Sequence, residues 1–284
     1  MSNIPSGSVT KVAIIIVTYN CPEFVEICLD SVRHYSTIPY EIIVVDNASE
    51  QPLVDYLKQQ ENLKLIINKE NKLWCAACNQ GIQAVGDDVT HILLLNSDME
   101  VRRADWLQRM VNVMESSDHI GLVGTAAARV RFWPTFGGVD GQCLMIKRSL
   151  IRELGLLDCQ RYPWTSGDID YAARAFKKGY LYKIMPRQPE LAVHYRGMSW
   201  RSQSAKPTQP QDKPLPDLQK LHQEVNIREI IRSAGLRPIA MPRLLWQLYK
   251  RLPGKPFYEL NRRERKLAQG KGPAKRKYYG HKTV

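Results

Sequence analysis

Four short apolar runs alternate with helical patterns in the N-terminal third of the chain, and this alternation limits the fold more than any other feature. The runs are rich in Val, Ile and Leu, and they occupy residues 11–17, 41–46, 63–67 and 91–95. Between them, apolar residues recur at the three- and four-residue spacing of amphipathic helices. Strands that alternate with helices pair in parallel, because each helix carries the chain back across the sheet. The pattern predicts an α/β fold with a Rossmann-like, mostly parallel central sheet flanked by helices.

Polar side chains follow three of these four runs, directly after the last apolar residue. The three clusters are Thr18-Tyr19-Asn20, Asp46-Asn47 and Asn96-Ser97-Asp98. In a parallel sheet the carboxyl ends of the strands share one edge, and ligands bind outside that edge. Asp and Asn are common in turns, so one cluster alone would indicate little. Three clusters at the same edge predict a binding site.

The rest of the chain adds further elements and then changes character. Strands are expected over 120–125, 141–147 and 192–195, and helices over 107–114, 149–154, 166–178 and 217–234. Residues 198–216 are polar and rich in Pro, which is typical of a loop or linker. We therefore expect a domain over 1–200, in two halves that divide at about residue 100. A Pro-rich loop or linker over 201–216 and a helical, basic extension over 217–284 would follow.

The formal charge of +13 is concentrated in the C-terminal segment. Residues 240–284 contain thirteen Lys and Arg against two Glu, which leaves the preceding residues with only +2. Residues 241–251 mix Leu, Trp and Tyr with basic side chains, a combination that suits an interfacial helix on an anionic membrane. The basic runs at 262–266 and 275–279 would equally suit nucleic-acid phosphates. A solvated or oligomer-forming tail is the third interpretation, because charge alone specifies no partner.

The N-terminal apolar run is too short to span a bilayer, and no small-residue cleavage pattern follows it.

The six cysteines are spread thinly, unlike those of a disulfide scaffold. Cys75 and Cys78 have CxxC spacing, but no second pair completes a zinc site. We expect the thiols to be reduced and buried. We expect the protein to be cytoplasmic, either unattached or bound peripherally to the inner face of a membrane.

Three distant segments carry side chains suited to catalysis. Asp98 follows an apolar strand, and His194 lies at the end of a later strand. Carboxylate oxygen and imidazole nitrogen are ligands for a divalent ion, either Mn²⁺ or Mg²⁺. Asp168 and Asp170 begin a predicted helix, where a carboxylate can act as a general base or cap the helix. Being two residues apart, they point to different helix faces, so one of them is expected to enter the site.

Six sequence blocks resemble those of a large enzyme family, and they occur in the family's order. They read VAIIIVTYN, EIIVVDNAS, NKENKLWCAACNQGI, HILLLNSDMEV, GQCLMIKRSLIRELGLLD and SGDIDYAARAFKKGY. The series resembles the inverting glycosyltransferase family 2, of GT-A fold, and especially its rhamnosyltransferase-like branch. The resemblance covers residues 11–200, about two thirds of the chain. It implies a nucleotide-binding half over about 1–100 and an acceptor half over 101–200.

This resemblance implies transfer of a hexosyl or deoxyhexosyl group from a UDP- or dTDP-sugar to the hydroxyl of a glycan or lipid-linked glycan. The implied metal ligands are Asp98, at the family's DxD position, and His194. The implied general base is Asp168. The implied donor-binding residues are Thr18, Tyr19, Asn20, Asp46, Asn71, Asn79, Asn96, Ser97 and Asp98. Aromatic faces suit sugar rings, so Trp133, Trp164 and Trp200 are candidates for acceptor contact. The carboxylate of Asp170 is a further candidate.

Three positions depart from the family pattern. Asn96 replaces the first DxD carboxylate, a variant that also occurs in the rhamnosyltransferase-like branch. Leu73 replaces a glycine, and Gly167 replaces the acidic residue that usually precedes the base. These departures keep open a catalytically silent scaffold or binding subunit. The basic tail keeps open a glycosyltransferase that acts on a modified base in DNA.

Overall fold

A computed structural model describes residues 10–129, 137–164, 166–185 and 191–195, without side chains for 127–129 and 137. Its elements, in chain order, are β1 (Val12–Thr18), α1 (Pro22–Tyr35), β2 (Tyr40–Asp46), α2 (Gln51–Lys58), β3 (Lys64–Ile67), α3 (Leu73–Gln83), β4 (His91–Asn96), β5 (Met99–Val101), α4 (Trp106–Glu115), β6 (Ile120–Gly124), β7 (Ala127–Arg129), β8 (Gly137–Val139), β9 (Cys143–Lys147), α5 (Arg148–Leu154), α6 (Gly167–Lys177), β10 (Leu181–Ile184) and β11 (Ala192–His194).

Seven strands form the central sheet in the order β10-β6-β9-β4-β1-β2-β3. Strands β4, β1, β2 and β3 pair in parallel, whereas β9 is antiparallel to both β4 and β6. Strand β10 pairs with β6 in parallel. The prediction of a mostly parallel sheet flanked by helices is confirmed. The carboxyl ends of β1, β2 and β4 lie at one edge, as the polar clusters predicted.

Strand β1 is buried on both faces of the sheet, which explains its nearly continuous apolar sequence. Ile14 and Ile16 pack into a core with helices α1, α2 and α4. Ala13 and Ile15 face the opposite core, which helices α3, α5 and α6 cover. Helix α3 comes close to the sheet at Gly81, where a Cβ atom would collide with the side chain of Ile15.

Four strands that the structure contains were not predicted: β5, β7, β8 and β10. The first three have three residues each, too few to show an alternating pattern. Strand β10 has the mixed sequence LYKI and is half-buried throughout, so it lacks the apolar run of a central strand. The other predicted strands and helices up to residue 195 are confirmed, with ends that differ by up to two residues.

The predicted segments 201–216 and 217–284 lie outside the described residues. Within the described part of the chain, no helix combines the length and the apolar character needed to cross a bilayer.

Candidate active site

The loops after β1 and β2 are joined by several hydrogen bonds at the carboxyl edge of the sheet. Thr18 Oγ1 donates to Asp46 Oδ1 at 2.9 Å, and the amide of Ser49 donates to Asp46 Oδ2 at 3.0 Å. Thr18 and Asp46 are both 0% exposed. The side chain of Asn20 accepts from the Glu50 amide, and the Asn20 amide donates to Ser49 Oγ, each at 2.8 Å. These contacts make the two loops one unit, beside which Tyr19 lies half-buried.

A second set of amide contacts shapes the loop between β3 and α3. The side chain of Asn47 donates to Asn71 Oδ1 at 2.8 Å and to the carbonyl of Leu73 at 3.3 Å. Asn47 Oδ1 accepts from the backbone amide of Lys72 at 2.9 Å. Asn71 Oδ1 also accepts from the amide of Leu73 at 2.8 Å. The buried side chain of Asn47 therefore forms hydrogen bonds with three consecutive residues of the loop, Asn71, Lys72 and Leu73.

Leu73 has a positive φ of 67°, a backbone conformation that favours glycine. Positive φ also occurs at Asn20, Cys21, Ala48, Asn62 and Ser166. Apart from Asn62, in the turn between α2 and β3, these residues lie in the loops after β1, β2 and β3 or before α6, next to the predicted site residues. Residues held in such conformations cluster at functional sites, where the surrounding contacts must maintain them.

Strands β5 and β11 bring together two residues that are far apart in sequence, Asp98 and His194. The strands pair antiparallel, with His194 opposite Met99. As a result His194 Nε2 lies 3.1 Å from Asp98 Oδ1, and the Asp98 side chain is only 1% exposed. The imidazole nitrogen is buried and makes no hydrogen bond to any described group. The carboxylate oxygen is thus near the ring but outside hydrogen-bonding geometry.

This arrangement fits a shared divalent ion. Two ligand atoms each about 2.1 Å from one ion and at right angles are roughly 3 Å apart, close to the observed separation of Asp98 Oδ1 and His194 Nε2. A buried ring nitrogen without a hydrogen-bond partner is otherwise unfavourable. The described residues contain no group of three His, Cys, Asp or Glu that could hold a metal. Within this part of the chain, Asp98 and His194 are the candidate ligands.

Asp168, in the first turn of α6, is tied to the sheet edge by backbone amides. Its Oδ2 accepts from the amide of Gly141 at 2.7 Å, and its Oδ1 accepts from the amide of Ile169 at 2.9 Å. Gln142, the next residue after Gly141, accepts the amide of Asn96 through its carbonyl at 2.9 Å. The carboxylate is therefore linked to the end of β4, where the segment carrying Asp98 begins. The residue at the helix N-cap is Ser166, not Asp168.

The pKa of Asp168 is raised from 3.8 to about 6, mainly because burial disfavours the charged carboxylate. The hydrogen bond from Gly141 acts in the opposite direction, and the nearby charge of Asp140 raises the pKa further. A carboxylate with a pKa near 6 can accept a proton more readily than an exposed aspartate and is still ionised at neutral pH. These are the properties required of a general base.

Asp170 is occupied by a different interaction. Arg174 Nε donates to its Oδ2 at 2.8 Å, and the same guanidinium donates to the carbonyls of Leu154 and Leu156. Burial raises the pKa of Asp170, whereas the charge of Arg174 lowers it. This pair joins α6 to the chain after α5. Asp168 and Asp170 thus have separate environments, as their spacing predicted.

The sequence model described as "Glycosyl transferase family 2" matches residues 13–171, more than half of the chain. The chain belongs to glycosyl transferase family 2. Strands β1 to β4, the Asp98 segment and Asp168 all lie within the matched region.

Two curated relatives of this family member have been identified only as glycosyltransferases. An uncharacterized glycosyltransferase of Haemophilus influenzae is 22% identical over 118 residues, 40% of this chain and 36% of that protein. The uncharacterized glycosyltransferase YwdF of Bacillus subtilis is 30% identical over 112 residues, 39% of this chain and 40% of that protein. The matches span less than half of these relatives' own lengths.

Solved structures share the fold of this family 2 chain. The mannosyltransferase PcManGT from Pyrobaculum calidifontis, in complex with GDP-Man and Mn²⁺, has a TM-score of 0.53 and 19% identity, covering 90% of this chain and 84% of that one. GalNAc-T7 with UDP, GalNAc and Mn²⁺ has a TM-score of 0.54 and 16% identity, covering 67% of this chain and 44% of that one. At these identities the likeness supports the fold alone.

Two departures from the family 2 pattern have local structural explanations. Leu73 keeps a backbone conformation that a glycine would adopt, held by the Asn47 and Asn71 contacts. At Gly167 a Cβ atom would collide with Cys75 Sγ, so an acidic side chain would not fit unless Cys75 shifted. The third departure, Asn96, leaves Asp98 as the carboxylate of the Asn96-Ser97-Asp98 segment.

The CxxC cysteines of α3 are buried thiols in this family 2 member. None of the six cysteines forms a disulfide. Cys75 and Cys78 are both buried, and burial raises the pKa of the Cys75 thiol to about 12 and that of Cys78 well above its usual value. Such thiols are poor nucleophiles and poor metal ligands at neutral pH. The expectation of reduced, buried thiols agrees with this environment.

The remaining predicted residues have varied positions. Asn79 is buried and bonded through both side-chain atoms to the backbone of Leu157, at 2.8 and 3.0 Å. Ser97 is buried, and Trp164 is half-buried in the loop before α6. Trp133 and Trp200 lie outside the described residues. The roles predicted for these residues remain predictions.

Sequence reasoning did not single out Trp74 as a site residue. Its indole ring lies against Gly141, where a Cβ atom would come within 2.6 Å of the ring. Gly141 is also the residue whose amide binds Asp168. The pattern around Trp74 predicted only a helix, because the neighbourhood of Gly141 depends on a contact between segments over sixty residues apart.

Proposed function

We propose that this protein transfers a sugar from a nucleoside-diphosphate sugar to an acceptor hydroxyl, with inversion at the anomeric carbon and with the help of a divalent metal. Membership of glycosyl transferase family 2 supports the reaction class. The observation that carries the proposal is the Asp98–His194 pair, in which the buried Nε2 atom of His194 has no hydrogen-bond partner among the described residues.

Asp98 and His194 would hold the divalent ion, either Mn²⁺ or Mg²⁺. When bound, the ion would stabilise negative charge on the diphosphate leaving group. Two protein ligands leave most coordination positions to the diphosphate and water. The presence of Mn²⁺ in the complexes of PcManGT and GalNAc-T7 is consistent with this assignment.

Asp168 would remove the proton from the acceptor hydroxyl as that oxygen attacks the anomeric carbon. The new C–O bond forms as the bond to the diphosphate breaks, and the proton passes to Asp168 Oδ2 or Oδ1. A pKa near 6 suits this transfer at neutral pH. The two backbone hydrogen bonds fix the carboxylate in place before the acceptor binds.

The donor and acceptor are proposed from the family resemblance. The loops after β1, β2 and β3 would hold the nucleoside, with Asp46 contacting the base after a local rearrangement, because its carboxylate is buried in this structure. The rhamnosyltransferase-like branch suggests a UDP- or dTDP-linked hexose or deoxyhexose. A glycan or lipid-linked glycan would then be the acceptor.

A thermal-shift screen of UDP-, dTDP- and GDP-sugars, with and without Mn²⁺, would identify the donor. Sugar hydrolysis and transfer would then be measured for the wild type and for Asp98→Asn and Asp168→Asn. Asp88→Asn is a matched control, because its carboxylate is exposed at the opposite edge of the sheet and pairs with Lys11. If no nucleotide sugar binds, or if both site variants retain full turnover, the proposed function is wrong.

A silent scaffold would also bind nucleotide sugars without turning them over. Leu73 and Gly167, two of the departures that suggested this alternative, are accommodated by the local structure. The proposal therefore favours an active enzyme. Binding without any hydrolysis or transfer by the wild type would instead support the scaffold.

A further inference from the structure

His194 depends on a very short strand for its position. Strand β11 has three residues and pairs with β5 through Ala192, Val193 and His194. His194 is the last residue of that pairing, where strand ends are least restrained. An imidazole that must lie within 3.1 Å of a carboxylate oxygen therefore needs support from outside the ladder.

The residue after His194 supplies such support through three contacts. The hydroxyl of Tyr195 donates to Glu100 Oε2 at 2.6 Å. The amide of Tyr195 donates to the carbonyl of Asp98 at 2.9 Å, which extends the β5–β11 pairing by one bond. Its ring packs against Phe24 of α1, with centroids 5.3 Å apart. Tyr195 thus joins β11 to β5 and to α1.

Glu100 is an uncommon residue for such a buried place. It is 5% exposed, and its Oε2 also accepts from Arg102 at 2.8 Å. A buried carboxylate is costly unless its oxygens are bonded, and a short bond from a phenol to a carboxylate is strong and directional. A hydrophobic residue at position 100 would pack against Val193, its partner across the ladder, without this cost. The presence of Glu100, with its short hydrogen bond from Tyr195, therefore indicates that β11 must be held in one defined position.

We propose that Glu100 and Tyr195 are positioning residues that hold the His194 imidazole beside Asp98 in a geometry suited to a divalent ion. The inference rests on the proposed function, because it assumes that Asp98 and His194 share that ion. The hydroxyl of Tyr195 would hold β11 at the residue next to His194. The amide of Tyr195 would bind β11 directly to the backbone of Asp98. Partners of this kind, one step removed from the metal, commonly change metal affinity by about 10- to 100-fold.

The test is Mn²⁺ affinity, measured from the loss of the free Mn²⁺ electron paramagnetic resonance signal in the presence of UDP and, separately, dTDP. Tyr195→Phe removes the hydroxyl and keeps the ring that packs on Phe24. We expect its Mn²⁺ affinity to fall about tenfold, and the spectrum of bound Mn²⁺ to broaden as the coordination becomes less uniform. Glu100→Gln should have a similar effect, and the two changes together should cost little more than either alone.

Tyr180→Phe is the matched control. The Tyr180 hydroxyl donates to Glu153 Oε2 at 2.8 Å, so the change removes a bond of the same kind far from β5 and β11. Mn²⁺ affinity should be unchanged in this variant. A second comparison uses His194→Ala, in which Tyr195→Phe should have no further effect on Mn²⁺ affinity because the residue being positioned is gone.

The outcomes separate this inference from the proposed function. If the wild type binds Mn²⁺ with a nucleotide and Tyr195→Phe binds it equally well, the positioning role is wrong and the proposed function stands. If Tyr195→Phe weakens binding equally in the wild-type and His194→Ala backgrounds, Tyr195 acts on general stability and the inference also fails. If the wild type binds no Mn²⁺ with either nucleotide, the metal assignment fails, and with it both proposals.

Discussion

The amide of Gly141 lies 2.7 Å from Oδ2 of Asp168, and this hydrogen bond joins helix α6 to the loop that leads into β9. Strand β9 is antiparallel to β4, with Cys143 opposite Leu95. Its first residue therefore lies at the edge where β4 ends, near the segment that carries Asp98. The antiparallel insertion of β9 is what allows a residue of α6 to reach the carboxyl edge of the parallel strands.

Replacement of Asp168 by Asn should remove the general base and keep the size of the side chain, although the amide can accept only one of the two backbone hydrogen bonds. We expect turnover to fall by at least about 100-fold, with little change in donor affinity. In the wild type, kcat/KM should fall tenfold per pH unit below about pH 6, because Asp168 must be ionised to accept a proton. A pH profile that stays flat from 7 to 5 would argue against Asp168 as the base.

The same carboxylate should also affect stability. Its pKa in the folded protein, about 6, is above the ordinary value of 3.8, so the folded state binds more protons between about pH 4 and pH 6. The free energy of unfolding should therefore decrease as the pH rises through this window. Asp168→Asn removes the titrating carboxylate, although an amide can accept only one of the two backbone hydrogen bonds. Its free energy of unfolding relative to the wild type should therefore be higher at pH 7 than at pH 4, by on the order of 1–2 kcal/mol.

Urea denaturation at pH 4 and pH 7 would measure this effect. Asp88→Asn serves as the comparison, because the pKa of Asp88 is lowered by its bond to Lys11 and the change should not stabilise the protein at pH 7. Equal effects of Asp168→Asn at both pH values would contradict the burial of a charge at this site.

The parallel half of the fold was predictable because each of its strands is long, apolar and buried. The ends of β1, β2 and β4 placed Thr18, Asp46 and Asp98 at one edge without any coordinates. The approach of His194 to Asp98 was expected from their ligand chemistry at strand ends and from the family resemblance. It depends on the pairing of β11, which was predicted over 192–195, with β5, which is too short to leave a pattern in the sequence.

Side-chain contacts between distant segments were not predictable for a different reason. The bond between Tyr195 and Glu100 joins residues 95 positions apart, and neither residue belongs to a recognisable local pattern. The environment of Gly167 likewise depends on Cys75, which lies on a separate helix. Local sequence indicates which segments are helices or strands, whereas these contacts arise only after the segments pack.

The strained backbone at Leu73 leads to a comparison of two variants. A non-glycine residue in the left-handed region costs about 1–2 kcal/mol, and glycine avoids this cost at some loss of chain entropy. Leu73→Ala keeps the strain and Leu73→Gly removes it, while both lose the same packing beyond Cβ. We expect Leu73→Gly to have the higher free energy of unfolding by about 1 kcal/mol. If thermal and urea denaturation show Leu73→Ala to be equal or better, the left-handed conformation is not present in solution.

Gly167 offers a test of packing between α6 and α3. A Cβ atom there would collide with Cys75 Sγ and would lie 3.6 Å from the carbonyl of Tyr162. Gly167→Ala should therefore lower the free energy of unfolding by about 1–3 kcal/mol. Cys75→Ala removes the sulfur, so the double variant should recover much of that loss. Additive effects in the double-mutant cycle would show that the two residues do not meet.

The last prediction concerns Trp74, whose indole occupies the space beside Gly141 and hence beside the proposed base. Trp74 is half-buried, so part of its surface faces the carboxyl edge of the sheet or the solvent. An aromatic face binds the C–H-rich face of a sugar ring, and a ring at this place would orient the acceptor hydroxyl towards Asp168.

Trp74→Ala should therefore raise the acceptor KM about tenfold, the equivalent of about 1.4 kcal/mol, with donor affinity unchanged. Trp74→Phe, which keeps an aromatic face, should have a smaller effect. Steady-state kinetics with varied acceptor and saturating donor would measure both variants. An unchanged acceptor KM in a folded Trp74→Ala protein would place the acceptor elsewhere on this edge.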